Sequence, residues 1–254
     1  MKTWLAALAP VFLASLALAQ PAKDQRRTGY QDMSPELQQM EDDDVANPGM
    51  LFVQSGETLW RQKVGAADKA CADCHADGSM KGVAARYPAV PPNADKPVDL
   101  EGRINLCRTE HQQAEALKPE SDDLLALTAY VAFQSRGVPI APPDDPWLGS
   151  MRSQGEKLFK TRQGQLNIAC SNCHDDNAGK KLAGATIPQA HPTGYPVYRL
   201  EWQTLGSLKR RLRNCLIGIR AEPYDYNAPE YVDLELYLMA RARGLKMEGV
   251  GVRP

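Results

Sequence analysis

The sequence contains the motif Cys-x-x-Cys-His twice, at residues 71–75 and 170–174. The two copies lie 99 positions apart, and each follows a Gly-Glu-x-Leu-aromatic segment, at residues 56–60 and 155–159. The motif is therefore part of a longer internal repeat. A repeat of this length predicts two similar domains in tandem.

The composition is that of an ordinary globular protein. The 254 residues include 30 Lys and Arg against 31 Asp and Glu, a formal net charge of -1, and 43% of them are hydrophobic. This length suits two domains of about 100 to 150 residues each. A net charge so close to zero creates no field that attracts nucleic acid or an anionic membrane, so we expect no nucleic-acid partner.

The first residues have the pattern of a secretory signal peptide. Lys2 precedes an apolar stretch at residues 4–19, which ends in the small-x-small site Ala17-Leu18-Ala19. A membrane anchor is the alternative, but a span needs roughly 20 apolar residues and this stretch is interrupted by Ser15. We therefore predict export with cleavage after residue 19, and no membrane anchor in the mature chain.

Composition also divides the rest of the chain. The segment after the signal peptide is polar and contains an acidic run at residues 41–44, which predicts an extended arm outside the core. A proline-rich segment between the repeats predicts a linker. The predicted order is a signal peptide (1–19), an extended N-terminal arm (20–49), a first domain (50–137), a proline-rich linker (138–147) and a second domain (148–254).

Apolar residues recur at helical spacing in both halves. They are Leu100, Ile104, Cys107 and His111 in the first half, and Leu205, Leu208, Leu212, Cys215 and Ile219 in the second. No stretch alternates for long with the period of a strand. We predict a mostly α protein of two tandem domains, each with a helix before its Cys-x-x-Cys-His motif and another helix at its end.

The repeated motif is the attachment sequence of c-type haem. Two cysteines at this spacing form thioethers with one haem, and the adjacent His ligates the iron. A four-cysteine zinc site, redox-active dithiols and plain disulfides are alternatives, but none of them requires the His. We predict two cytochrome c-like domains with two covalently bound c-type haems, attached through Cys71, Cys74, Cys170 and Cys173, with His75 and His174 as iron ligands.

Two further cysteines occupy matching positions in the repeat. Cys107 and Cys215 each follow an arginine by four residues, Arg103 and Arg211, so the Arg and the Cys of each pair lie one helical turn apart. We predict that these cysteines are the second iron ligands, as thiolates, which would lower the reduction potential. They could instead be buried packing residues or form a disulfide. Other residues would then be the distal ligands, with Met80, Met151, His111, His191, Met239 and Met247 as the candidates.

Cys215 lies in more basic surroundings than Cys107. Its neighbours in sequence are Lys209, Arg210, Arg211, Arg213 and Arg220. Arginine near a thiolate favours the ionised sulfur and can receive a small anion, although a basic helix is often only a solvated face. Arg241 is a further candidate, because it lies in line with Leu234 and Leu238 on the apolar stripe of the last helix. Its alternative role is a charge near the end of that helix.

Several segments of the chain closely resemble the SoxA family. They are Tyr30-Gln31-Asp32-Met33, residues 40–44, residues 47–50, both Cys-x-x-Cys-His motifs, and Arg211-x-x-x-Cys215 with Arg220 after it. SoxA proteins are the dihaem subunits of the SoxAX cytochrome in the periplasmic thiosulfate-oxidising system. The resemblance covers essentially the whole mature chain, and its second half is the more specific part because many SoxA proteins lack the first haem.

This resemblance implies an L-cysteine S-thiosulfotransferase located in the periplasm. Thiosulfate would be coupled oxidatively to a cysteine of the carrier protein SoxYZ, with two electrons passing through haem to a SoxX-like monohaem partner and then to a small cytochrome c. Cys215 would be the active-site cysteine, which bears a persulfide in the family, and Arg211 would bind the substrate. Arg241 would be a second basic residue of the pocket, and Cys107 would ligate the first haem iron.

Two other functions stay open from the residues alone. The chain could be a dihaem electron carrier without a substrate, in which the thiolates only set the potential. It could also be a thiosulfate dehydrogenase that forms tetrathionate. Addition of mass to the carrier thiol distinguishes the transferase from both.

Overall fold

The structure, a computed structural model, describes residues 24–92 and 94–254. The predicted signal peptide and the first four residues of the predicted arm lie outside these ranges. The helices found within them are α1 (Pro35–Asp42), α2 (Met50–Arg61), α3 (Leu100–Cys107), α4 (Asp122–Phe133), α5 (Gly149–Lys160), α6 (Cys170–His174), α7 (Leu208–Gly218) and α8 (Pro229–Arg241). The prediction of a mostly α fold is confirmed, and no described helix has both the length and the apolar character of a membrane span.

One pair of helices packs closely in each half, α2 against α4 and α5 against α8. These are the predicted helices before each motif and at the end of each domain. A glycine of the repeat lies at each crossing: a Cβ added to Gly56 would lie 2.0 Å from the carbonyl oxygen of Ala126, and one added to Gly155 would lie 1.9 Å from that of Asp233. Only glycine allows the two backbones to approach so closely, which explains the glycine of the Gly-Glu-x-Leu-aromatic segment.

The strands are short and lie almost entirely in the second half. A hairpin joins β1 (Lys181–Leu182) to β2 (Ala185–Thr186). A three-stranded sheet contains β3 (Val197–Arg199), β4 (Thr204–Gly206) and β5 (Val252–Arg253). Strand β3 is central, antiparallel to β4 and parallel to β5, so the C-terminal strand lies beside β3.

The N-terminal arm is not simply extended, which corrects the prediction. It contains α1, capped by Ser34, whose hydroxyl accepts a hydrogen bond from the Leu37 N–H at 3.4 Å. A Ser followed by Pro35 is a common helix start, a signal that the polar composition obscured. Glu41 of this helix is buried and accepts hydrogen bonds at 2.6 Å from the backbone of Val252 and from Arg253. The arm is thereby attached to β5.

The proline-rich segment between the halves is packed against the end of the second half. The Ile140 N–H donates to the Leu245 carbonyl, and the Gly244 N–H donates to the Ile140 carbonyl, both at 2.8 Å. Ile140 is buried in a cluster that contains Leu127 of α4 and Met247. One apolar cluster therefore contains residues of both halves. Where one domain ends and the next begins stays a prediction.

A buried ion pair also joins the two halves. Asp99 caps α3, and its carboxylate pairs with the ammonium of Lys209 in α7. Glu101 lies 4.0 Å from the same ammonium. Burial lowers the pKa of Lys209, but the carboxylates of Asp99 and Glu101 outweigh it, so the net effect is a raised pKa. The N-termini of the two cysteine-bearing helices are thus held together by opposite charges.

Candidate functional site

The second Cys-x-x-Cys-His motif forms helix α6, which faces a cavity across from α7. His174 ends α6, and Cys215 lies in the last part of α7. Both residues line a cavity of about 350 Å³, together with Arg211 and Leu212. The stripe predicted from Leu208, Leu212 and Cys215 therefore faces the space beside the motif. Helix α7 begins at Leu208 because Ser207 caps it, accepting a hydrogen bond from the Arg210 N–H at 3.0 Å.

His174 is held in an orientation suited to metal ligation. Its Nδ1 lies 2.7 Å from the carbonyl oxygen of Pro188, so this nitrogen carries the proton and Nε2 remains available as a ligand. Burial lowers the pKa of His174, and the charges of Arg211 and Arg241 lower it further. A neutral imidazole is the form that binds iron.

The first half repeats this arrangement. His75 and Cys107 both line a cavity of about 450 Å³, with Arg103 one turn before the Cys. Its apolar lining includes Trp60, Leu100, Ile104, Leu127 and Val131. Burial lowers the pKa of His75, and the neighbouring Arg103 adds to this effect. The two predicted His and Cys pairs are therefore each brought to a common cavity.

The arrangement of the cysteines opposes two of the alternatives to haem. All six cysteines are free, so Cys107 and Cys215 are not joined in a disulfide. Among the described residues no three His, Cys, Asp or Glu side chains are grouped closely enough to hold a metal ion, which opposes a four-cysteine zinc site. The Cys-x-x-Cys pair and its His are the residues that c-type haem requires, and the Cys on the wall of the same cavity is the candidate second iron ligand.

The alternative distal ligands fall into two groups. Met80 and His111 line the first cavity, and His191 lines the second. The Nδ1 of His191 lies 2.7 Å from the Arg27 carbonyl oxygen. Three of the candidates do not line the second cavity: Met151, Met239 and Met247.

Only one member of the predicted basic cluster faces the second cavity. Arg211 lines it, whereas Arg210 stacks on Trp202 at 4.3 Å and Arg213 stacks on Tyr226 at 4.4 Å. Lys209 pairs with Asp99 at the junction of the halves, and Arg220 is exposed. The basic residues that are neighbours in the sequence therefore do not form one cluster around Cys215 in the structure.

The structure does not place Arg241 with Arg211. Its guanidinium donates to Asp175 at 2.6 Å and lies 4.8 Å from the centre of the Phe159 ring. It lines an open groove of about 430 Å³ on another side of His174, which Arg26 and His191 also line. The groove shares His174 and His191 with the cavity of Cys215, and the role of Arg241 in the site stays a prediction.

Sequence reasoning missed another arginine of the second cavity. Arg199, at the end of β3, lines this cavity together with Arg211 and Arg253. Helical periodicity gives no signal for a residue in a three-residue strand, and the position has no arginine counterpart in the first half. The pairing of β3 with the C-terminal strand, which brings Arg253 to the cavity, is a long-range contact that periodicity cannot reveal.

The tandem helix pairs, the two attachment motifs and their His and Cys pairs define a c-type cytochrome with two tandem domains. The family model described as "SoxA/TsdA, cytochrome c domain" matches residues 55–140 and 154–247. The chain belongs to the SoxA family, whose cytochrome c domain implies c-type haem as the cofactor.

Named relatives agree over nearly the whole chain. The L-cysteine S-thiosulfotransferase subunit SoxA of Pseudaminobacter salicylatoxidans is 37% identical, covering 91% of this chain and 82% of the relative. The subunit of the same name from Rhodovulum sulfidophilum is 35% identical, covering 91% and 81%. The crystal structure of SoxXA from P. pantotrophus superposes with a TM-score of 0.87 at 32% identity, covering 90% of this chain and 87% of that one.

Proposed function

We propose that the chain is the catalytic subunit of an L-cysteine S-thiosulfotransferase of the Sox system. The relatives carry this activity in their names, and this chain covers most of their length. The observation that carries the proposal is the joint lining of one cavity by His174, Arg211 and Cys215. The first cavity repeats this set in His75, Arg103 and Cys107, and the second cavity differs from it in Arg199 of β3, which also lines it.

We further propose two c-type haems, one in each half. Cys71 and Cys74 would attach the first, with His75 and Cys107 as its iron ligands. The second would have the same set in Cys170, Cys173, His174 and Cys215. When bound, each haem would supply a one-electron acceptor. The corresponding proposed domain order is a cleaved signal peptide (1–19), an arm (20–49), a first domain (50–137), a linker (138–147) and a second domain (148–254).

The residues of the second cavity suit the overall reaction. The carrier thiol and thiosulfate, S₂O₃²⁻, form the carrier thiosulfonate R–S–S–SO₃⁻, with release of one proton and two electrons. Arg211 would hold the sulfonate oxygens, because a guanidinium pairs well with an oxyanion of this geometry. The outer sulfur would then bond to the Cys215 thiolate, and this step would release the two electrons to the acceptor cytochrome. The carrier thiolate would attack the same outer sulfur, forming R–S–S–SO₃⁻ and breaking the bond to Cys215, which leaves as a thiolate.

Partners and location follow from the family. SoxXA of P. pantotrophus combines two subunits, and we propose that this chain pairs with a SoxX-like monohaem cytochrome. The carrier SoxYZ would be the protein substrate, and a small cytochrome c would accept the electrons. Export by the predicted signal peptide would place the complex in the periplasm.

The decisive experiment uses the purified complex with thiosulfate and a carrier protein that bears a cysteine. The proposal expects the carrier to gain one S₂O₃ group, seen by intact mass, with two electrons appearing in the cytochrome acceptor. Haem reduction without added mass, and with tetrathionate in solution, would indicate a thiosulfate dehydrogenase. Haem reduction only by other redox partners would indicate an electron carrier.

A further inference from the structure

Arg199 occupies a fixed position on the wall of the second cavity. Strand β3 is central in its sheet, where Arg199 pairs with Thr204 of β4 and with Arg253 of β5. Its side chain is only 11% exposed and lines the same cavity as Arg211 and Cys215. The strand pairings fix the backbone from which the side chain extends, and its burial limits the directions the side chain can take.

The first half provides an internal comparison for this position. The segment Tyr87-Pro88 corresponds to Tyr195-Pro196, and the antiparallel bridge between Ala89 and Val98 corresponds to the pairing of Val197 with Gly206. In this register Arg199 corresponds to Pro91, whereas Arg211 corresponds to Arg103. Arg211 alone does not distinguish the second cavity from the first, whereas Arg199 does. Arg199 therefore suits a role that only the second cavity has.

The first cavity does have a second arginine, but in a different place. Arg86 lines it, is exposed, and corresponds to Gly194 in the second half. It precedes the Tyr-Pro segment, whereas Arg199 follows it. The two arginines are thus not equivalent in the repeat.

The charges around Arg199 leave room for an anion. Burial lowers the pKa of Arg199, and the positive charge of Arg211 lowers it further. Its ion-pair partner is Glu201, at 3.1 Å, whose side chain is 53% exposed. The Nε of Arg199 is buried and has no hydrogen-bond partner among the described residues. An oxyanion in the cavity would satisfy this donor and offset the repulsion between the two guanidinium groups.

The third arginine of the cavity is already neutralised. Arg253 pairs with Glu41 at 2.6 Å and with Glu248. Glu248 therefore compensates its charge without a ligand. Of the three arginines that line the second cavity, Arg199 and Arg211 are then the two whose charge is not balanced by a buried carboxylate.

We infer that Arg199 is a second substrate-binding residue, which together with Arg211 holds the sulfonate end of thiosulfate so that its outer sulfur faces Cys215. The inference rests on the proposed function. It adds to that function a reason why the site binds a dianion in preference to a monoanion. Thiosulfate carries two negative charges, and one arginine compensates only one of them. Two guanidinium groups on opposite elements, β3 and α7, match this charge and fix the orientation.

The test compares the variants Arg199→Gln and Arg199→Lys with Arg210→Gln in the purified complex. Arg210 is a matched control, because it also stacks on Trp202 but does not line the cavity. Since a hydrogen bond to a charged group contributes more than one factor of ten in binding, we expect Arg199→Gln to raise the KM for thiosulfate about tenfold or more. In Arg199→Lys the KM for thiosulfate should rise less than in Arg199→Gln. In Arg210→Gln this KM should change less than about twofold.

A second substrate tests the charge argument. Methanethiosulfonate has the same outer sulfur but a single negative charge. Arg199→Gln should raise the KM for thiosulfate several-fold more than the KM for methanethiosulfonate. An equal effect on both substrates would overturn the proposed recognition of the second charge.

The haem propionates are the other anions that Arg199 could bind. Haem content and the optical spectrum of the second haem should be unchanged in Arg199→Gln. Loss of haem or a shifted spectrum with an unchanged KM would assign Arg199 to a propionate and overturn the inference. Failure of the wild-type complex to modify the carrier would instead refute the proposed function. Thiosulfate binding by calorimetry, weakened in Arg199→Gln and retained in Arg210→Gln, would then still support the site.

Discussion

Arg211 and Cys215 lie one turn apart on α7 and line the same cavity. Replacing Arg211 by Ala removes a guanidinium from the sulfonate end of the substrate but leaves both proposed iron ligands in place. We expect kcat/KM for thiosulfate to fall about 10- to 100-fold, the range for loss of a charged hydrogen bond. The optical spectrum should stay that of the wild type. Steady-state kinetics with Arg210→Ala as the control tests this, and unchanged turnover would remove Arg211 from the site.

Variants of Cys107 and Cys215 can distinguish a cysteine that only ligates iron from one that also takes part in catalysis. Cys107→Ser and Cys215→Ser remove equivalent sulfurs from the two halves, so each should change the spectrum of one haem only. We expect carrier modification to be lost in Cys215→Ser and retained in Cys107→Ser, because only the second cavity combines the sulfur with Arg199 and Arg211. Electron paramagnetic resonance and carrier mass are the two measurements. Loss of transfer in both variants would show that the first half takes part in the chemistry.

At the level of secondary structure, each domain depends on one glycine crossing. Gly155→Ala would bring a methyl group within 1.9 Å of the Asp233 carbonyl oxygen, so α5 and α8 must move apart. We expect the free energy of unfolding to fall by about 1–3 kcal/mol, the usual cost of overpacking. Gly149→Ala is the control, because an added Cβ there meets nothing within 4 Å. Thermal unfolding of both variants is the measurement, and Gly155→Ala should have the lower melting temperature. Equal melting temperatures would contradict the packing argument.

The sequence predicted helices well where a repeated motif or an apolar stripe marked them. The helices beside the motifs and the cavity positions of Cys107 and Cys215 were all anticipated from spacing. The predicted stripe began at Leu205, but that residue belongs to β4, because Ser207 caps the helix after it. Arg199 was not anticipated, since its position depends on strand pairings between distant segments. Long-range pairing is the part that local patterns do not encode.

At the level of the whole molecule, the two halves meet through a buried charge cluster. Lys209 of the second half faces Asp99 and Glu101 of the first, and Glu235 of α8 lies on the same small cavity between the halves. Glu101 and Lys209 occupy equivalent positions in the repeat. The interface thus pairs opposite charges at corresponding sites, which favours this one docking arrangement over others.

Lys209 is therefore expected to be essential for the stability of the interface. Lys209→Met leaves Asp99 and its neighbours without a counter-charge, and breaking a buried pair costs about 3–5 kcal/mol. Lys63→Met is the control, since Lys63 is exposed and its pair with Asp68, at 3.8 Å, should contribute less than about 1 kcal/mol. Denaturant unfolding measures both. Adding Asp99→Asn to Lys209→Met should restore part of the loss, whereas a purely steric role of Lys209 would give no recovery.

The same cluster predicts how stability changes with pH. Burial raises the pKa of Glu235 to about 8, and the Asp99 carboxylate adds to the effect. The folded state then retains a proton that the unfolded chain releases near its ordinary pKa of about 4.5, so stability decreases as pH rises from there to about 8. Burial raises the pKa of Glu41 to about 7, which acts in the same direction.

His191 acts in the opposite sense below about pH 6.5, because burial lowers its pKa and the unfolded chain takes up the proton first. The window from about pH 7 to 8 therefore isolates the carboxyl groups. We expect the melting temperature of the wild type to fall across this window and Glu235→Gln, which cannot ionise, to reduce the fall. The exposed Glu222 supplies the control Glu222→Gln, which should keep the wild-type slope. If the melting temperature of Glu235→Gln fell with pH as steeply as that of the wild type, Glu235 would already be ionised in the folded protein. Lys209 would then compensate the charge of Glu235 as well as that of Asp99.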